Sequence, residues 1–116
     1  MITLFGIPNC DTVKKTQKWL DAHKVSYKFH NYKQEGIDTT TLKDWCAQTE
    51  WERLLNKKST TWRALSDAAK ESVTDAASAI SVMQEHTSLI KRPVITKNGK
   101  VVVIGFDENA LNTLLS

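Results

Sequence analysis

Apolar positions change their spacing several times along the chain, and each change marks an element. Ile2, Leu4 and Phe5 form a short run over residues 1–5 that predicts a buried strand. Gly6-Ile7-Pro8-Asn9 interrupts it with turn chemistry, and Asn9 can cap a following helix. Over residues 11–23 Val13 and Leu20 share one face, Asp11 lies in the first turn and lysines follow, which predicts a helix. Val25, Tyr27 and Phe29 then alternate, predicting a second strand over 25–32. A strand-helix-strand unit of this length is expected to be parallel and right-handed.

The middle of the chain has helical spacing. Asp38 is placed to cap a helix over 39–48, with Leu42, Trp45 and Cys46 on its apolar stripe. A single helical turn is expected over 52–55, then a loop through Trp62. Residues 65–85 are Ala-rich and read as two short helices capped by Ser66 and Thr74, with Ala76, Ile80 and Met83 on one apolar face.

The end is the plainest part. Two β-branched runs, 94–96 and 101–104, flank Lys97-Asn98-Gly99-Lys100, and Asn-Gly in that setting is the strongest short hairpin signal. Asp107 then caps a last helix carrying Ala110, Leu111, Leu114 and Leu115. The order βαβ, helical insertion, ββα predicts an α/β thioredoxin-like fold: a four-stranded mixed sheet with helices on its faces. Residues 1–116 are expected to form one such domain, with the insertion at about 38–86.

Composition narrows the function classes. A formal charge of +3, with lysines scattered rather than blocked, is thin for a nucleic-acid binder, and no nucleic-acid partner is expected. No stretch approaches the roughly 20 apolar residues of a membrane span. The opening MITLFGIPNC lacks the basic segment and long apolar core of a signal peptide, so a cytoplasmic location is expected. In that reducing setting the two cysteines, Cys10 and Cys46, are not expected to form a structural disulfide. His23, His30 and His86 have no metal-ligand spacing with either cysteine, and neither a metal nor a resident cofactor is expected.

Cys10 carries the candidate chemistry. A cysteine in a small domain often serves as a packed hydrophobe, and Cys46, on its apolar stripe, reads that way. Cys10 instead follows a Gly-x-Pro-x turn at a strand-to-helix junction. Free backbone N–H groups and the positive end of the helix dipole there favour thiolate over thiol. Lys14 and Lys15 lie one turn on and can add to that field. Arg92, in Lys91-Arg92-Pro93 before the third strand, reads either as a surface arginine or as a fixed charge facing the sulfur across the sheet.

Three segments together resemble the superfamily of glutaredoxin-coupled arsenate reductases (ArsC) and Spx regulators, and within it the YffB-like branch: Ile7-Pro8-Asn9-Cys10-Asp11-Thr12, Lys91-Arg92-Pro93-Val94-Ile95, and Val103-Ile104-Gly105-Phe106-Asp107-Glu108. Asp44-Trp45-Cys46-Ala47, Leu54-Leu55-Asn56-Lys57-Lys58 and Thr60-Thr61-Trp62-Arg63 fit that branch too, so the likeness spans the chain. It implies that Cys10 is the nucleophile, attacking a disulfide or a small oxyanion. It implies that Arg92 supports it, that Pro93 follows a cis bond, and that Asn9, Asp11, Thr12, Lys14 and Pro93 contact substrate. Glutathione is the expected co-substrate, and the expected partner is glutathione or glutaredoxin. The sequence departs from the family pattern at four places. Gly6 stands where arsenate reductases have a histidine, Asn56 and Ile104 where they have two further arginines, and Val13 where Spx regulators carry a second cysteine. The first expectation is therefore a glutathione-dependent thiol oxidoreductase. The alternatives are an arsenate reductase and a regulator binding RNA polymerase.

Overall fold

A computed structural model describes residues 1–115; Ser116, the last residue of the expected domain, lies outside the described residues. In chain order the first elements are β1 (Ile2–Gly6), α1 (Asp11–Ala22), β2 (Lys28–Asn31) and α2 (Tyr32–Glu35). Helices α3 (Thr39–Gln48), α4 (Trp51–Leu54), α5 (Thr60–Ala64), α6 (Asp67–Glu71) and α7 (Ala76–Glu85) follow. The chain ends with β3 (Val94–Lys97), β4 (Lys100–Ile104) and α8 (Glu108–Asn112). Two compact units result: Met1–Glu35 with Arg92–Ser116, and Gly36–Lys91. No helix among the described residues is long and apolar enough to cross a membrane.

The first unit is the α/β thioredoxin-like core, a mixed sheet in the order β2-β1-β3-β4. β1 runs parallel to β2, from Thr3↔Lys28 to Gly6↔Asn31, and antiparallel to β3, from Ile2↔Lys97 to Phe5↔Val94. Asn98 (φ 54°) and Gly99 (φ 84°) turn the β3–β4 hairpin, because a two-residue turn matching the strand twist needs positive φ at both positions. Leu4, Val13, Leu20, Ile95, Val103, Leu111 and Leu114 pack into one buried cluster. Each such side chain contributes about 1.5–3 kcal/mol through apolar surface removed from water.

The second strand starts later than its alternation suggests, at Lys28 rather than residue 25. Lys24 adopts φ 57°, its N–H donates to the Asp21 carbonyl (3.1 Å), and the Val25 N–H donates to the Leu20 carbonyl (2.9 Å). Those two bonds close the end of α1 as a Schellman motif, so Val25 belongs to the helix terminus. Val25, Tyr27 and Phe29 nevertheless all pack on the core, as their alternation indicates. Tyr32 leaves the strand to begin α2, an element the sequence does not signal.

The second unit is helical. The Asp38 carboxylate accepts the Thr41 N–H at 2.7 Å and starts α3 as expected. α3 packs against α7, and the Thr39 hydroxyl donates to Gln84 Oε1 at 2.6 Å. The cap of α7 is Asp75 rather than Thr74: its carboxylate accepts the Ser78 N–H while the Ser78 hydroxyl accepts the Asp75 N–H. That reciprocal capping box satisfies two backbone donors, which Thr74 does not do. The loop expected through Trp62 contains α5, because Ser59 accepts the Trp62 N–H (3.1 Å) and begins a helix there. The chain closes this unit by a short antiparallel bridge between Leu55 and Ile90.

Candidate active site

β1 ends at Gly6 and α1 begins at Asp11, so a four-residue turn carries the chain from sheet to helix. Gly6 is required by close approach: a Cβ built there would lie 2.8 Å from Val13 Cγ2. The floor of the turn is thus Val13 seated directly on the backbone of β1, which draws the start of α1 onto the end of the strand. The helix cap is Cys10 itself, not Asn9. Cys10 has extended backbone (φ −138°, ψ 121°), and its carbonyl accepts the Lys14 N–H at 2.9 Å. Its side chain makes no capping hydrogen bond. Cysteine therefore occupies the position that serine or aspartate usually holds, at the positive end of a twelve-residue helix, and its side chain leaves the first N–H groups of that helix uncapped. Cys10 is half-buried and packs on the edge of the core cluster.

The sheet register gathers the other candidates at the same end. Phe5↔Val94 places Pro93 and Arg92 just beyond the carboxyl end of β1, and Val94↔Ile104 brings in the 105–107 turn after β4. The Arg92–Pro93 bond is cis, and the Gly105 N–H donates to the Pro93 carbonyl at 2.7 Å. Arg92 is half-buried. Among the described residues no hydrogen bond or ion pair joins its guanidinium to Cys10 or to any carboxylate.

The remaining candidates divide. Asn9, Asp11 and Lys14 are exposed around Cys10. Thr12 is half-buried, and its carbonyl accepts the Thr16 hydroxyl at 2.8 Å. Lys15 is directed elsewhere, its ammonium lying 4.3 Å from the Phe106 ring centre. Cys46 sits in the last turn of α3, where burial pushes its thiol up from the ordinary cysteine value. Both cysteines are free.

One residue at this end escapes sequence reasoning. Tyr32 is 2% exposed, and its hydroxyl has no hydrogen-bond partner among the described residues. Its ring lies 6.2 Å from that of Phe5 and 6.0 Å from that of His30. Burial drives the phenol far above its usual range, against a smaller opposing pull from the Arg92 charge. In the sequence it reads only as the last position of a strand.

Comparison with known proteins covers the same ground. Residues 5–114 match the ArsC family. An uncharacterised protein of Haemophilus influenzae is 48% identical over 93% of this chain and 93% of its own length. The global transcriptional regulator Spx 1 of Lactococcus lactis is 28% identical, over 99% of this chain and 89% of its own. Among solved structures, a YffB protein superposes with a TM-score of 0.93 at 44% identity, covering 100% of both chains. An arsenate reductase related protein from Brucella melitensis gives 0.75 at 40% identity, covering 99% of this chain and 94% of that one.

Proposed function

Because the chain belongs to the ArsC family, we propose that it is a thiol-dependent oxidoreductase in which Cys10 is the nucleophile and glutathione the reductant. The observation that carries this reading is the use of cysteine as the N-cap of α1 with its sulfur left free of any capping bond. A cap is normally an oxygen acceptor, and replacing it by sulfur forgoes helix stability. A reactive thiolate is the chemical return for that position.

The cycle needs no second cysteine. Cys10 thiolate attacks one sulfur of a disulfide, forming a Cys10 mixed disulfide and releasing the other sulfur as a thiolate, which takes a proton from solvent. A glutathione thiolate then attacks the mixed disulfide at the substrate-derived sulfur or at Cys10. A second glutathione completes the exchange, so that one disulfide and two glutathione molecules become two thiols and one glutathione disulfide. Val13, three residues after Cys10, is fully buried against the core and offers no resolving thiol. Arg92 supplies positive charge toward the carboxylates of glutathione, and Asn9, Asp11, Thr12, Lys14 and Pro93 line the approach to the sulfur.

The same chemistry on arsenate is less well supported. Gly6, Asn56 and Ile104 occupy the positions where the resemblance expects a histidine and two arginines. At position 6 the 2.8 Å approach of Val13 leaves no room for a larger side chain without movement. A regulatory reading rests on the Spx relative, whose likeness spans nearly all of this chain. Three assays separate the readings: glutathione-coupled reduction of a mixed disulfide, glutathione- and glutaredoxin-coupled reduction of arsenate, and capture of RNA polymerase. Disulfide turnover that is lost in Cys10→Ser and retained in Cys46→Ser is expected. Turnover that survives Cys10→Ser removes the thiol mechanism.

A further inference from the structure

A lysine on a helix surface ordinarily leaves its ammonium in water or turns it to an acid one helical turn away. Lys15 does neither. Asp11 stands one turn before it on α1, yet no ion pair joins them, and among the described residues the ammonium makes no hydrogen bond. It lies instead 4.3 Å from the centre of the Phe106 ring. That ring is itself held. Phe106 is half-buried against the core cluster and follows Gly105, whose N–H donates to the Pro93 carbonyl at 2.7 Å. Gly105 holds φ 74°, a left-handed turn that suits glycine, and there the chain leaves β4. β4 finishes at the same end of the sheet where β1 gives way to α1. Lys15 therefore joins the helix that starts at Cys10 to the turn that bonds Pro93.

We propose that Lys15, held by the Phe106 ring, receives a carboxylate of the disulfide substrate. A cation on an aromatic face keeps the N–H groups turned away from the ring free for an acceptor. The ring also fixes a side chain that would otherwise lose its rotamer freedom on binding, so the anion meets a preformed charge. Lys15 follows Cys10 by about 7.5 Å along the helix axis. Long helical side chains lean toward the helix N-terminus, which brings the ammonium back toward the Cys10 end. Glutathione is a tripeptide with its sulfur on the middle residue and a carboxylate at either end, and extended it spans about 10 Å. A glutathione joined to Cys10 through sulfur thus extends far enough to set a carboxylate on Lys15. The ammonium serves the flank of the substrate rather than the thiolate. The proposal rests on the reading that Cys10 exchanges disulfides, and it adds a specificity: carboxylate-bearing disulfides over uncharged ones.

With dithiothreitol as reductant, two disulfides are compared: oxidised glutathione, which carries carboxylates, and 2-hydroxyethyl disulfide, which carries none. Dithiothreitol releases substrate thiol from the Cys10 mixed disulfide by two successive exchanges and leaves as its cyclic disulfide, so both reactions balance without glutathione. Lys15→Met is expected to raise the KM for oxidised glutathione about three- to fivefold, the scale of an exposed ion pair. The KM for 2-hydroxyethyl disulfide and both kcat values stay near wild type. In about 1 M sodium chloride, where charges are screened beyond about 3 Å, the difference between the two proteins closes. Lys15→Arg and Phe106→Tyr, which keep a cation and a ring face, stay near wild type. Phe106→Leu keeps the apolar bulk, loses the face and raises the same KM about twofold, and Lys15→Met then costs less in that background than alone. Equal KM values for wild type and Lys15→Met would mean that Lys15 is a surface lysine resting on a ring, and the proposal fails. A rise for both disulfides, or one that salt does not close, assigns a structural role and overturns it equally. An unchanged KM in Phe106→Leu removes the ring from the proposal. Titration with S-methylglutathione, which cannot exchange, separates this proposal from the catalytic reading. Should Cys10→Ser keep full turnover, the mechanism falls, while a weaker titration of Lys15→Met still upholds the carboxylate site; no binding by the wild type removes the site.

Discussion

The chain holds the same residue at two helix ends, and the ends differ in everything that matters to sulfur. Cys10 caps the start of α1, where N–H groups without partners and the positive end of the dipole face it. Cys46 lies in the last turn of α3, beside carbonyls and the buried Leu42 and Trp45, and burial there pushes its thiol up. Both are half-buried and free, so neither exposure nor bonding state separates them. Backbone direction does. On the proposed mechanism a cysteine is a reagent at one end of a helix and a filler at the other.

The largest test of that contrast is substitution. Cys10→Ser is expected to lower disulfide turnover by about 10³-fold or more, the scale for removing a nucleophile, while Cys46→Ser stays near wild type. Alkylation by iodoacetamide near neutral pH, read by mass spectrometry, should favour Cys10 over Cys46 by about tenfold, within what a helix dipole worth about 0.3–2 kcal/mol provides. Equal rates would show that helix direction does not distinguish the two sulfurs.

A second test acts on the floor beneath Cys10. Gly6→Ala drives a methyl toward Val13 Cγ2, and overpacking of this kind costs about 1–3 kcal/mol. Val13→Ala alone also destabilises, by leaving a cavity. The double variant should lose less than the sum, because the smaller side chain makes room for the added methyl. Denaturant melts of the four proteins give the coupling, and additive losses would mean that Gly6 and Val13 are not in contact. Gly6 and Val13 belong to the strand and helix that flank the Cys10 turn, so the alkylation of Cys10 should change in Gly6→Ala while that of Cys46 should not.

Much of this arrangement is legible before the fold is known, and the reasons are local. Asn98-Gly99 can satisfy positive φ at two successive positions, and Asp38 has a donor three residues on, so the hairpin and α3 declare themselves. Other features depend on what a residue meets. Val25 alternates like a strand residue, yet its N–H closes α1. Thr74 and Asp75 are both acceptable caps, and only the reciprocal bond to Ser78 decides between them. The Cys10 turn reads from Gly, Pro and Cys in order. Tyr32 does not, because a missing hydrogen bond has no signature in sequence.

The far end of α1 offers a smaller test. Lys24 holds φ 57°, a conformation that costs a side-chain-bearing residue energy and costs glycine none. Lys24→Gly is expected to stabilise the protein by about 0.5–1 kcal/mol, after the greater entropy of glycine in the unfolded chain is set against the relief. Lys24 is exposed and lies at the opposite terminus from Cys10. Turnover should therefore be unchanged. A change in turnover would show that Cys10 responds to the whole of α1 rather than to its first turn.

The smallest effect concerns Cys46, and its sign follows from burial. Desolvation raises its folded value above the unfolded one, so the native state keeps the proton to higher pH than the unfolded chain does. The contribution to stability is fully present below the unfolded value, about 8.5 for cysteine, and is lost as pH rises through the folded value. Wild type should therefore lose stability between neutral pH and pH 10 more steeply than Cys46→Ala, while the groups common to both proteins cancel in the difference. Denaturant melts of the pair at the two pH values read that difference directly. A parallel loss in both proteins would mean that the Cys46 thiol ionises as freely when folded as when unfolded. The contrast with Cys10 would then lie in the field of α1 alone, with nothing added by burial at the end of α3.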